Sequence, residues 1–203
     1  MMKKVKNTML YKEEIVRKLI HMSSLWIPIL YLHSTTAIML KILLPLTIGA
    51  LVIEFTRKYS PLVNGLINKL IGRIMRDSEK NSSSFAGATH LFIAATLAIA
   101  FFNKEIAIFA LLILVISDTC AALIGYKLSW IKINDKSLTG ALSFVISAYA
   151  IYYYLTSVYN FDLPFVQSMI AIISAAIFEL FSKKLKIDDN FLIPFAICMI
   201  MVW

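Results

Sequence analysis

The chain alternates between long apolar blocks and short charged stretches. Seven apolar blocks stand out: Leu19 to His33, Thr36 to Phe55, Phe85 to Phe102, Ile106 to Leu128, Leu138 to Tyr159, Pro164 to Phe181, and Phe191 to Trp203. A helix that crosses a bilayer needs about 20 apolar residues, within a range of roughly 17–25. Most of the blocks meet that length. The first does so only with the amphipathic turn before it, and the last is short for a span, so it tilts little, thins the bilayer or enters partway. The pattern predicts an all-α polytopic bundle of about seven transmembrane helices in a single membrane domain, residues 1–203.

The basic residues predict its orientation. Lys3, Lys4, Lys6, Lys12, Arg17 and Lys18 precede the first block, and Arg57, Lys58, Lys69, Arg73, Arg76 and Lys80 lie between the second and third. Lys127, Lys132 and Lys136 follow the fourth, and Lys183, Lys184 and Lys186 follow the sixth. Of the 20 basic residues only Lys41 and Lys104 fall elsewhere, and Lys41 can snorkel from near the outer end of its span. The positive-inside rule therefore places the N-terminus and the basic loops in the cytoplasm.

Composition agrees with this reading. The 203 residues are 60% apolar and 16% charged, against about 45–50% and about 25% in soluble domains. Mean hydropathy is +0.78. The net charge of +8 belongs to cytoplasmic anchoring at anionic head groups, so no nucleic-acid partner is expected. Cys120 and Cys198 sit inside apolar blocks and read as small buried hydrophobes. No small-residue cleavage site follows the first block, so no removable signal peptide is expected.

Residues 56–84 form the longest cytoplasmic loop. Pro61 opens an amphipathic stretch from Leu62 to Ile71, expected to lie in the membrane interface, and Asn81-Ser82-Ser83-Ser84 is expected to break it and cap the next span.

The polar residues near the helix ends form a second pattern. Arg17, Lys18 and His21 open the first span, with Arg17 and His21 four apart on one face. Glu54 and Arg57 close the second. Gly87, Thr89 and His90 open the third. Asp118 lies about ten residues inside the fourth apolar run, followed by the small residues Ala121, Ala122 and Gly125. Lys136, Ser137 and Gly140 open the fifth span, Glu179 is near the end of the sixth, and Asp188, Asp189 and Asn190 precede the seventh. Many of these are also ordinary interfacial anchors. Asp118 is not, because an ionised carboxylate at that depth costs a few kcal/mol. Acidic residues from separate helices (Glu54, Asp118, Glu179, Asp189) can hold a divalent cation through oxygen. Basic residues (Arg17, Lys18, Arg57, Lys136) can bind phosphates, and a helix start at Ser137 offers them backbone N–H groups. A metal-assisted reaction between a cytosolic nucleotide and a lipid fits these donors. The chain contains no Walker A loop, protein-kinase signature or zinc motif.

Arg17-Lys18-x-x-His21, Glu54-x-x-Arg57, Gly87-Ala88-Thr89, Asp118-x-x-Ala121-Ala122-x-x-Gly125, Lys136-Ser137-x-x-Gly140, and Glu179 followed by Asp189-Asn190-x-x-x-Pro194 occur in that order. The set resembles the polyprenol, dolichol, phytol and diacylglycerol kinase family, small polytopic proteins related to CTP-using lipid transferases. The resemblance covers nearly the whole chain. Two positions depart from it: His90 stands where an aromatic residue is common, and Thr139 where a Glu is common.

The resemblance implies a CTP-dependent lipid kinase that moves the terminal phosphoryl group of CTP, or another nucleoside triphosphate, to a membrane lipid alcohol such as a polyprenol, phytol or diacylglycerol, with Mg2+ as cofactor. The expected catalytic residues are Asp118, Lys136 and Glu179, and the expected metal ligands Asp118, Asp189 and Glu54. Arg17, Lys18, His21, Arg57, Ser137, Gly140 and Gly125 are expected around the nucleotide and its phosphates. The expected location is the bacterial inner membrane, with the site facing the cytoplasm. A phosphatidate cytidylyltransferase is the alternative enzyme, although its C-terminal signature is not visible. A small transporter or scaffold is the alternative of another class; a transporter would favour midplane polar residues and an inverted repeat.

Overall fold

A computed structural model of the chain describes residues 2–72, 75, 77–80, 85–128, 131–133, 136–185 and 187–203. The expected break at 81–84, and Arg73, Arg76 and Lys186 of the basic set, lie outside these residues.

The fold is helical: α1 (Met2–Ser23), α2 (Trp26–His33), α3 (Thr36–Tyr59), α4 (Pro61–Ile71), α5 (Asp77–Lys80), α6 (Gly87–Phe101), α7 (Lys104–Leu112), α8 (Asp118–Lys127), α9 (Leu138–Val158), α10 (Phe165–Leu185) and α11 (Asp189–Val202). A π-helical segment, Ile113–Ser117, joins α7 to α8 without interrupting the rod. The extended pairing among the described residues is a two-residue ladder of β1 (Lys132–Ile133) and β2 (Lys136–Ser137).

Five stretches are long and apolar enough to cross a membrane: Tyr11–His33, Thr36–Tyr59, Lys104–Lys127, Leu138–Val158 and Phe165–Ser182. Gly87–Phe101 and Asp189–Val202 are apolar but shorter. The protein is an integral membrane protein. Its exposed faces carry the residues that a soluble protein buries, such as Ile48, Val52 and Phe55 on α3 and Ile170, Ile173 and Ile177 on α10.

The bundle centre is the α7–π–α8 rod. Residues from Ile106 to Val115 are buried without exception, as expected for a helix that is apolar all round. Asp118 therefore comes off the most enclosed helix of the molecule.

Pairwise contacts fix the helix directions. Tyr11 stacks on Tyr126 at 4.7 Å and Lys18 meets Asp118, so α1 runs antiparallel to α8. The Thr47–Thr96 hydrogen bond of 2.8 Å and the Glu54–Thr89 bond of 3.2 Å make α3 and α6 antiparallel. Ser168 Oγ donates to Met201 Sδ, which pairs the start of α10 with the end of α11. The antiparallel α8 and α9 touch through glycines. A Cβ on Gly140 would lie 2.7 Å from the Ala121 carbonyl oxygen, and one on Gly125 would lie 3.1 Å from Gly140 Cα.

Several boundaries differ from the sequence reading. The first helix begins long before Leu19 and breaks at Ser24–Leu25 instead of running unbroken to His33. Asp189 and Asn190 do not precede the last helix but form its first turn, both buried, with the Asp188 side chain accepting from Asn190 N. On α4, Ser60 caps the start and Pro61 occupies the first turn, where its missing N–H costs nothing. Leu62, Leu66 and Leu70 form one exposed stripe there, while Asn68 donates to the Lys80 carbonyl.

Candidate active site

The polar groups gather at one end of the bundle in two adjacent ion clusters and one structural knot. In the first cluster, α8 directs Asp118 at α1. Its Oδ2 accepts from the Lys18 ammonium and lies 3.6 Å from His21 Nε2. Lys18 and Asp118 are 6% and 2% exposed, so the pair is withdrawn from solvent and lipid alike. His21 Nε2 is also 3.2 Å from the Leu114 carbonyl. A carbonyl can only accept, so Nε2 is the protonated nitrogen in this arrangement. Leu114 belongs to the π segment, which widens the turn immediately before Asp118; such π-bulges recur at functional sites. The Ser117 hydroxyl beside it is buried and has no hydrogen-bond partner among the described residues.

In the second cluster, Lys136 of β2 reaches two carboxylates, Glu179 on α10 at 2.5 Å and Asp189 on α11 at 3.2 Å. Burial works to lower the Lys136 pKa, but Asp189 and Glu179, with a smaller contribution from Asp118, more than offset it and hold the pKa above the ordinary lysine value. The influence of Asp118 on Lys136 links the two clusters into one electrostatic neighbourhood.

Glu54 and Arg57 form the knot. Glu54 accepts from the Arg57 guanidinium at 3.2 Å, from Ala86 N at 2.9 Å and from the Thr89 hydroxyl. Arg57 also donates to the Glu79 carbonyl at 2.8 Å and to Asn64. Glu79 Oε1 accepts from Gly87 N at 3.1 Å. Two carboxylates from elsewhere in the chain thus satisfy the first amides of α6, where the helix dipole favours negative charge.

The chain has relatives among known proteins. The chain is similar to the uncharacterized protein RP860 of Rickettsia prowazekii, at 30% identity over 188 residues that cover 90% of each chain. It belongs to the same family as that protein. It is also similar to two proteins named CTP-dependent diacylglycerol kinase 1. That of Saccharomyces cerevisiae is 28% identical over 160 residues, 74% of this chain and 54% of the kinase. That of Schizosaccharomyces pombe is 35% identical over 100 residues, 46% and 44% respectively. This chain spans about half the length of those kinases. Homologues so named support a lipid kinase. No family model and no solved structure matches the chain.

The structure brings together Lys18, His21 and Asp118, and separately Lys136, Glu179 and Asp189. It does not bring Glu54 to Asp118 and Asp189: among the described residues, no three His, Cys, Asp or Glu side chains converge as a metal-ligand group. Arg57 faces the knot, not the ion clusters. Arg17 pairs with Glu14 along its own helix at 2.7 Å; the residue that reaches Asp118 is its neighbour Lys18, three from His21. Gly125 and Gly140 make the α8–α9 crossing. Ser137 Oγ accepts from Gly140 N at 3.0 Å and bonds the Thr139 hydroxyl, which donates to the Leu128 carbonyl. Thr139 thus ties the start of α9 to Leu128. His90 Nδ1 turns back to the Ala86 carbonyl of its own helix at 3.2 Å. Sequence reasoning missed Glu79, whose only signal was to be one of two acids, with Asp77, in a basic loop.

Proposed function

We propose that the protein is a lipid-alcohol kinase that transfers the terminal phosphoryl group of a nucleoside triphosphate to the hydroxyl of a membrane lipid. The observation that carries this reading is the pair of buried ion clusters, Lys18–His21–Asp118 and Lys136–Glu179–Asp189, at one end of a membrane bundle. The names of the kinase relatives support CTP as donor and diacylglycerol as the first acceptor to test, with polyprenol and phytol next. The basic loops support a site on the cytoplasmic face of a bacterial inner membrane, and the exposed leucine stripe of α4 supports that helix lying in the interface.

Phosphoryl transfer asks mainly for positioning and charge stabilisation. In the proposed reaction the lipid oxygen bonds to the terminal phosphorus, and the bridging P–O bond breaks. The nucleoside diphosphate leaves, and the hydroxyl proton passes to Asp118. Lys18 and His21 hold that carboxylate in place beforehand and can turn toward phosphate oxygens afterwards. Lys136 meets the departing phosphates. Mg2+ is usually held by one or two carboxylates plus substrate phosphates instead of an all-protein cage. Glu179 and Asp189, close enough to share one ammonium, are a donor set of that kind and would hold the ion. When bound it would neutralise charge on the phosphoryl oxygens.

Purified protein given terminally labelled CTP or ATP and a total lipid extract should produce a labelled lipid and unlabelled nucleoside diphosphate. Release of pyrophosphate, with the nucleotide moiety on the lipid, would instead establish the cytidylyltransferase. Asp118→Asn should abolish turnover while leaving the protein inserted in the membrane; near-normal turnover in that variant would remove Asp118 from the mechanism.

A further inference from the structure

A shallow apolar cleft runs between α6 and α11, lined by Leu97, Ala98 and Phe102 on one side and Phe191, Pro194 and Phe195 on the other. Leu97 and Phe195 are 37% and 46% exposed, so the cleft opens sideways toward lipid. Its near end is the candidate site. Phe191 follows directly on Asp189 and Asn190, and a Cβ on Gly87 would lie 3.0 Å from Asn190 Nδ2, which sets the two helix starts side by side. Both helices are short, 15 and 14 residues, or about 22 Å at 1.5 Å per residue. That is about 8 Å less than the hydrocarbon core of a bilayer, and it brings the polar starts within reach of a shallow hydroxyl.

An apolar channel that ends beside a phosphate-handling cluster matches one chemistry, a hydrocarbon chain ending in a hydroxyl.

We infer that the α6–α11 cleft holds the hydrocarbon chain of the lipid alcohol next to its hydroxyl. This rests on the lipid-kinase reading for its ligand but not for its test. The full-length protein in phosphatidylcholine nanodiscs is irradiated with a diacylglycerol that carries a diazirine partway along one acyl chain, and the labelled peptides are mapped by mass spectrometry. Labelling should concentrate on Leu97, Phe102 and Phe195 and be competed by unlabelled diacylglycerol. Even labelling of lipid-facing residues such as Ile146 and Ile173, without competition, means bulk lipid only and overturns the inference.

In parallel, Ala98→Leu should raise KM for diacylglycerol about tenfold with kcat retained, the scale of a lost apolar contact in a pocket. Leu97→Ala, at an exposed edge, guards against misfolding of the first variant and should weaken competed labelling in the same direction. Unchanged KM and unchanged labelling in both variants overturn the cleft. Concentrated, competed labelling without any lipid phosphorylation upholds the cleft and removes the kinase reading. Phosphorylation with labelling elsewhere does the reverse.

Discussion

Replacing Lys18 with methionine strands the Asp118 carboxylate in the interior. The two side chains are 6% and 2% exposed, and removing one partner of a buried pair costs about 3–5 kcal/mol because the other is left uncompensated. Asp118→Leu should cost a similar amount by stranding the ammonium. The double variant Lys18→Met with Asp118→Leu removes both charges, and such replacements are often neutral. Its loss should be far smaller than the sum of the singles, with a coupling energy near the upper end of the usual range, about 3 kcal/mol. His21 is 3.6 Å from the same carboxylate oxygen, so the cycle belongs at pH 8, where an unperturbed histidine is neutral. Reversible unfolding in mixed micelles, or steric trapping in bicelles, gives the free energies. Additive losses, or a Lys18→Met loss under about 1 kcal/mol, would refute the buried pair. Turnover separates structure from chemistry: the double variant should be well folded and inactive.

Gly140→Ala should destabilise the protein by about 1–3 kcal/mol, because its Cβ would lie 2.7 Å from the Ala121 carbonyl oxygen; Gly65→Ala, with nothing within 4 Å, should stabilise α4 by about 0.5–1 kcal/mol, and the same unfolding assay reads both. Lys136 has a folded pKa above its ordinary value, so its favourable contribution is complete below about pH 10.4 and fades as pH rises through the folded value. The stability gap between wild type and Lys136→Met should therefore stay constant from pH 6 to 9 and narrow only above pH 10; a gap that closes near neutrality would contradict the paired ammonium.

The helical membrane architecture was legible along the chain because lipid imposes one rule on every residue of a span, and length and apolarity record it locally. Asp118 was legible for the same reason, since a carboxylate deep in an apolar run is costly wherever its partner is. Its partner was not. Arg17 and Lys18 are adjacent on α1, and the choice between them depends on the rotation of α1 against α8, which places Lys18 inward and leaves Arg17 with Glu14. Likewise Glu54, Asp118 and Asp189 are interchangeable as acids in a sequence. Only packing separates them, sending Glu54 to the start of α6 and Asp189 to Lys136. Sequence by itself determined which groups are expensive to bury and roughly at what depth. Tertiary structure decided which of them meet, because ion pairs form across helix interfaces whose rotation and register are set by side-chain packing far from either charge.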